Sequence, residues 1–220
     1  MNKLSKRLNL ICDLVNGRVI ADVGCDHGKL TRELFDTCKI DYAYVSDISS
    51  ASLQKAIDLL SPFAGKFEAI CCDGLQKYPQ VRIDECIIAG MGGYEIMKIM
   101  RNAKIDIEKY ILSPQHDVIE LKEYLIQNNF EIVFDIIILD KGKFYNIIKC
   151  NHSNKKCTLD EFSMHFGKDN FVDSRSDICK YIDKNLAKYI EIKKNQKVQN
   201  DKIDRQICLL EKAKKELNYE

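Results

Sequence analysis

The stretch from Val19 to Leu30, Val-Ile-Ala-Asp-Val-Gly-Cys-Asp-His-Gly-Lys-Leu, limits what this chain can fold into more than any other. Val19, Ile20, Ala21 and Val23 read as a short buried strand, and helix-favouring residues run from Lys29 to Phe35. Between them lies Asp22-x-Gly24-x-x-x-Gly28. A strand that enters a glycine turn and opens a helix presents unpaired N–H groups and a positive dipole end to a ligand. Glycine suits the turn because a side chain would hold the backbone away from that ligand.

The spacing narrows the ligand class. A dinucleotide fingerprint requires G-x-G-x-x-G, and a phosphate loop requires G-x-x-x-x-G-K-[ST]; this stretch has neither. An acidic residue ahead of the glycine turn is closer to the first motif of S-adenosylmethionine-dependent methyltransferases.

At 220 residues the chain holds one α/β domain and a small appendage. A net charge of +1 means that any polyanion partner must meet basic residues gathered on one face. No basic-then-apolar leader and no long uncharged apolar run are visible, so a cytoplasmic protein with no membrane partner is expected. The ten cysteines include no C-x-x-C pair and mostly sit in apolar runs, which reads as small buried hydrophobes. The four histidines are scattered, and no metal site is expected.

Along the chain, Leu4, Leu8, Ile11 and Val15 share one face of an opening helix that Asn16-Gly17 stops. After the glycine turn and its helix, strands are expected over 43–47, 67–72, 86–89 and 110–112. Helices are expected over 53–60, 94–101 and 118–127, with Ser49 and Ser50 as caps and Ser61-Pro62 as a stop. Residues 132–139 and 144–150, joined by Asp140-Lys141-Gly142, form a closing hairpin. Alternating strands and helices predict a mostly parallel sheet covered on both faces, with the hairpin turning the edge antiparallel. Ligands gather at the carboxyl ends of such strands. Those ends carry Asp22/Gly24, Asp47, Asp73/Gly74 and Gly90/Gly93.

Beyond Cys150 the composition changes. Residues 151–176 are polar and mixed, with Phe162, Phe166 and Phe171 as anchors. From Asp177 the chain is charged and helical, with stripes at Ile178, Ile182, Leu186, Tyr189 and at Ile203, Ile207, Leu210, Leu217. An antiparallel helical hairpin or short coiled coil fits this pattern, as does a helix pair that dimerises or covers the core.

Asp47 is placed to accept hydrogen bonds from a ribose diol, or is simply a surface carboxylate at a strand end. Asp73 is placed for an adenine amino group beside Gly74, or marks an ordinary Asp-Gly turn. Asp26 either caps the following helix or faces the reaction, and His27 is either a base or a surface residue. Tyr94 either stacks on a nucleobase or begins the core of its helix. Ala89-Gly90-Met91-Gly92-Gly93 lacks the Asp/Asn-Pro-Pro-aromatic pattern used on the exocyclic amine of adenine. An acceptor with its own lone pair, such as a ring nitrogen, needs only positioning and tolerance of the cation formed.

Several segments together resemble the bacterial tRNA (adenine-22 N1)-methyltransferase family. They are Leu4-Ser5-Lys6-Arg7-Leu8, Ala21-Asp22-Val23-Gly24-Cys25-Asp26-His27, Asp73-Gly74-Leu75, Ile88-Ala89-Gly90-Met91-Gly92-Gly93 and Lys143-Phe144-Tyr145. The likeness covers most of 1–150 and continues weakly through Glu161-Phe162 and Phe166-Gly167. Two departures stand out. Ser113-Pro114-Gln115 replaces the family's usual Gln-Pro-Asn, and Gly28 takes a position often held by alanine.

The resemblance implies a Rossmann-like class I methyltransferase domain over 1–152, with a seven-stranded sheet, and a helical, coiled-coil-like domain over 153–220. It implies methylation of adenine N1 in the D arm of tRNA, with S-adenosylmethionine as cofactor and S-adenosylhomocysteine as product. Asp22, Gly24, Cys25, His27, Asp47, Ile48, Asp73, Gly74 and Ala89 are expected to hold the cofactor. Asp26, Gly90, Met91 and Gly92 are expected to flank the acceptor, with Asp26 orienting the base or balancing its charge. Lysines 180, 184, 188, 193, 194 and 197 are expected to contact phosphate, or form a solvated helix face. A monomer or weak homodimer is expected. The competing readings are a methyltransferase acting on a protein or small molecule, and a non-catalytic RNA-binding module.

Overall fold

The computed structural model describes residues 4–155, 157–170, 175–195 and 200–217, so the expectations for Phe171 and Lys197 lie outside the described residues. Ser5 caps the first helix, α1 (Lys6–Leu14), its hydroxyl accepting from the Leu8 N–H at 3.3 Å. Then follow β1 (Val19–Val23), α2 (Lys29–Asp36), β2 (Tyr42–Asp47), α3 (Ser50–Leu60), β3 (Phe67–Cys71) and β4 (Glu85–Ala89). After these come α4 (Gly93–Arg101), β5 (Lys109–Ser113), α5 (Val118–Gln127), β6 (Phe130–Asp140) and β7 (Lys143–His152). Ser49 caps α3 through the Ser52 N–H, and a short 3-10 turn at Ser61–Phe63 ends it.

The strands form one seven-stranded sheet in the order β3-β2-β1-β4-β5-β7-β6. β3, β2, β1, β4 and β5 pair in parallel, while β7 is antiparallel to both β5 and β6. The second hairpin strand therefore inserts beside β5 and leaves β6 at the edge. Neighbouring residues of the central strands enter opposite cores, Ile88 and Leu112 on one face and Ile87 and Ile111 on the other. This is the period-two pattern of a strand buried on both sides. The chain order reverses at β1 and β4, and the β1 and β4 tips open the crevice there.

The tail contains a helix that the polar composition of 151–176 conceals, α6 (Glu161–Phe166), followed by α7 (Arg175–Asn195) and α8 (Asp201–Glu216). Lys193 pairs with Asp204, and ten residues earlier on α7 Asp183 pairs with Lys214, ten later on α8. That reversed register makes the two helices antiparallel. Ile178, Ile182, Leu209, Leu210, Ala213 and Leu217 form their seam, and Ile137 of β6 and Phe166 share it. The hairpin therefore also covers the core. Ile203 and Ile207, expected in the seam, are only half-buried, and Leu209 and Ala213 take their place.

Polar side chains of the tail also serve the sheet edge. The outward N–H groups of Asp135, Ile137 and Leu139 on β6 donate to Asp169, Asn170 and Asp177 at 2.8–2.9 Å. An edge strand is thus closed without a further strand.

All ten cysteines are free thiols. Cys12, Cys25, Cys72, Cys86 and Cys150 are buried as expected, but Cys38, Cys71 and Cys208 are exposed, a correction to the general reading. They lie at a helix end, an edge-strand end and a solvent-facing helix position, where an apolar neighbour in sequence does not dictate burial.

Candidate active site

β1 ends at Val23, and Gly24 leaves it with φ +71°, a left-handed conformation that glycine adopts at little cost. The N–H groups of Gly24 and Cys25 both donate to the Ser46 carbonyl, at 2.8 and 3.0 Å, which fixes the turn against the end of β2. Ser46 is held in turn by a 2.9 Å hydrogen bond from the Tyr78 hydroxyl. Gly28 begins α2 without a side-chain cap, so the expected capping role for Asp26 is not what the helix uses. Asp26 instead sits at φ +51° with its carboxyl group 75% exposed, beside the cleft.

That cleft has a volume of about 350 Å³ and lies over the tips of the parallel strands. Gly24, Asp26, Asp47, Ile48, Asp73, Gly74, Ala89, Gly90 and Met91 all line it. The Asp47 carboxylate is aimed by two backbone donors, the Asp26 N–H at 3.1 Å and the Ser49 N–H at 2.8 Å. Each carboxylate oxygen keeps a lone pair for a further donor such as a ribose hydroxyl. Ile48 is 74% exposed at the cleft wall, an apolar surface of the kind a planar ring covers. Asp73 is paired with Lys98 at 2.9 Å.

Four other expected residues stand outside the cleft lining. Asp22 is buried and accepts a 2.6 Å hydrogen bond from Thr31. Burial pushes its carboxyl up to about 6, against the hydrogen bond from Thr31, and the charge of Asp47 adds to the rise. It braces the turn from beneath. Cys25 is buried, and that burial raises its thiol well above the ordinary value, which makes it a packing residue. His27 turns toward Lys55 of α3, 3.3 Å away. Gly92 is covered by the His116 ring, whose Cε1 stands 2.3 Å from where a Cβ would be. Tyr94 is 61% exposed, which corrects the reading of it as a core residue.

The cleft also contains residues to which sequence reasoning assigned no role. Gln115 donates from Nε2 to the Gly90 carbonyl at 2.7 Å, and its backbone N–H donates to Met91 at 2.9 Å. The departure Ser113-Pro114-Gln115 therefore places an amide that shapes the β4 turn. Arg7 and Glu95 complete the rim. Arg7 lies in the Leu4–Leu8 motif, and that motif was the signal for it.

S-adenosylmethionine fits this arrangement. Its net positive charge faces four carboxylates, Asp26, Asp47, Asp73 and Glu95, against the Arg7 guanidinium and the Lys98 ammonium paired with Asp73. The turn at Gly90, at positive φ, admits close backbone approach, whereas Gly24 is overlain by the Met91 methyl group, 2.2 Å from where a Cβ would be. Among the described residues, no group of three or more His, Cys, Asp or Glu is placed to hold a metal ion.

A family model described as a methyltransferase domain matches residues 4–148. The chain belongs to this methyltransferase family. A Mycoplasma pneumoniae protein described as a tRNA methyltransferase is 31% identical over 150 residues, 66% of this chain and 70% of its own. The tRNA (adenine(22)-N(1))-methyltransferase of Bacillus subtilis is 27% identical over 172 residues, 75% of this chain and 72% of its own. Among solved structures, TrmK of M. capricolum in complex with S-adenosyl-homocysteine superposes with a TM-score of 0.85 at 27% identity. That alignment covers 96% of this chain and 97% of the other, so the likeness extends through the helical tail. The family model thus covers the segments that carry the motifs up to residue 148, and the structural likeness reaches beyond them.

Proposed function

We propose that this protein transfers a methyl group from S-adenosylmethionine to N1 of an adenine in tRNA, adenine 22 of the D arm. The observation that carries this reading is the convergence of the β1, β2, β3 and β4 tips on one acidic cleft, whose lining includes the turn Gly90-Met91. The names of the relatives, tRNA methyltransferases and an adenine-22 N1 enzyme, support the substrate class. When bound, S-adenosylmethionine supplies a methyl group on a cationic sulfur; the N1 lone pair forms the new bond as the carbon–sulfur bond breaks, leaving neutral S-adenosylhomocysteine and a cationic ring.

No proton leaves N1 in this transfer, so no general base is required. What the chain must supply is position and negative charge. Asp47 holds the ribose, Ile48 and Gly74 flank the adenine of the cofactor, and Asp73 accepts from its amino group. Asp26, exposed at the cleft edge, orients the target base or balances the charge on the methylated ring. The Gln115 amide holds the Gly90 carbonyl, which keeps the β4 turn in shape beside the target. N1 lies on the Watson–Crick edge, so the base enters unpaired or flipped. The helices of 153–220 form the tRNA-contacting domain, and the protein works as a monomer or weak homodimer.

The test incubates the protein and cofactor with unmodified tRNA transcripts and maps 1-methyladenosine by primer extension and mass spectrometry. A single new methyl group at adenine 22 is expected. Label at another nucleotide overturns the target. Label on proteins or small molecules alone overturns the substrate class, and tRNA binding without transfer overturns the activity.

A further inference from the structure

Two cavities meet at Arg7. On one side its guanidinium reaches the acceptor end of the cleft, with Nη1 3.9 Å from where a Cβ on Gly90 would stand. On the other side is a second hollow of about 440 Å³, lined by Arg7, Lys29, Asp140, Lys141 and Tyr145 among others. The guanidinium lies over the Tyr145 ring, 4.7 Å from its centroid. It is half-buried, yet among the described residues it has no hydrogen-bond or ion-pair partner, while the Arg7 backbone N–H donates to Asp140 at 3.2 Å. A guanidinium fixed in place without a carboxylate is a cation waiting for an anion from outside the chain.

The charge of the two cavities is divided in the same sense. Acids dominate the cofactor cleft, whereas Arg7, Lys29 and Lys141 face the second hollow. Its acid, Asp140, is engaged with the Arg7 N–H at the start of α1. Lys29 and Lys141 are exposed. A ring methylated at N1 is cationic, so an uncompensated guanidinium beside it would oppose the reaction. An anion bound to Arg7 removes that repulsion, and in RNA the anion adjoining every base is its own phosphodiester.

We infer that this hollow receives the phosphodiester next to the target adenosine, with Arg7 as a positioning residue that Tyr145 holds in the plane needed to grip it. The inference rests on the adenine-N1 reading and adds the contact that sets the nucleotide at the cleft mouth. The Leu4–Leu8 and Lys143–Tyr145 motifs, far apart in sequence, gain one shared purpose.

The test compares wild type, Arg7→Ala, Arg7→Lys and the double variant Lys29→Ala/Lys141→Ala. Binding of an unmodified tRNA transcript is measured by filter retention over a series of KCl concentrations, separately from methyl transfer. S-adenosylhomocysteine affinity is measured by calorimetry. Arg7→Ala is expected to weaken tRNA binding about tenfold and to flatten the slope of log affinity against log salt by about 0.7–0.9, the value for one phosphate. Cofactor affinity is expected to stay unchanged in the lysine double variant, whose residues lie outside the cleft, and to fall less than tRNA affinity in Arg7→Ala. Arg7→Lys should keep the salt slope while losing rate, because it keeps the charge without the stacked fork. The double variant, changed only at exposed positions, should weaken tRNA binding as well, which guards against a folding defect at Arg7.

Unchanged tRNA affinity and salt slope in both Arg7→Ala and the double variant overturn the inference. So does a loss confined to cofactor affinity. Wild-type protein that binds tRNA with this Arg7 dependence but leaves adenine unmethylated would strike the proposed activity and uphold the phosphate site.

Discussion

Asp22 lies two residues before the glycine turn, 5% exposed, and receives a 2.6 Å hydrogen bond from Thr31. Sequence position alone makes it a cofactor ligand; burial makes it a brace under the loop that holds one. Desolvation raises its carboxyl from 3.8 to about 6 in the folded protein. The native state therefore keeps a proton that the unfolded chain gives up. Its contribution is most favourable below the unfolded value near pH 4, is lost as pH rises toward 6, and is flat above. That difference is worth about 3 kcal/mol. The variant Asp22→Asn keeps an acceptor for Thr31 without the charge. Thermal melts of both proteins from pH 4 to 8 should coincide near pH 4 and separate above pH 6, with Asp22→Asn the more stable. Parallel curves across that range would mean that Asp22 ionises in the native state as readily as in the unfolded one.

Among the elements, those built from local signals were legible in the sequence. The turn between β6 and β7 is one example: Asp140 pairs with Lys143, and Lys141 and Gly142 both take positive φ, 49° and 79°. That is the two-residue hairpin which a terminal glycine favours. The four strand tips were legible for a similar reason, since an acid, a glycine or both at the end of an apolar run has few other uses. What stayed hidden depends on partners distant in sequence. Lys122 reads as a solvent-facing helix residue, yet it is fully buried and pairs with Asp135 of β6 at 2.6 Å. Its ammonium also donates to the Ser163 and Met164 carbonyls, at 3.2 and 3.0 Å, so it seats α6 on the sheet. Asp169, Asn170 and Asp177 look like turn and cap residues, and nothing local shows that they close an edge strand. Arg7 stood in the Leu4–Leu8 motif, but its setting was hidden in the same way, because its neighbours Tyr145 and Gly90 come from other parts of the chain. Lys122→Ala would leave the Asp135 charge buried without its counter-ion and is expected to cost about 3–5 kcal/mol. Lys122→Met combined with Asp135→Leu removes both charges and should recover most of that loss. Urea unfolding midpoints of the two variants decide it; equal destabilisation in both would show that shape, not charge, holds α6.

For the whole molecule, the question is how a chain with a net charge of only +1 holds a polyanion. Lys180, Lys184 and Lys188 recur every fourth residue on α7, share one face and are all exposed. Lys193 is committed to Asp204 at 2.6 Å, which leaves the first three, with the exposed Lys194, as the better candidates for RNA. Deleting the tail is a poor test of this. It would uncover Ile137 and Phe144 and strip the β6 edge of its acceptors, so loss of activity would follow from loss of fold. Reversing charge on the exposed face avoids that. Lys180→Glu/Lys184→Glu/Lys188→Glu is expected to raise the KM for tRNA more than about tenfold, to leave kcat and the cofactor Kd near wild type, and to weaken the salt dependence of binding. The pattern separates phosphate contact from a structural effect, because a damaged tail would lower the melting temperature and kcat together. An unchanged KM would return the stripe to the status of a solvated helix face and move the tRNA-binding surface to the sheet, where Arg7, Lys29 and Lys141 line the second hollow beside the cleft.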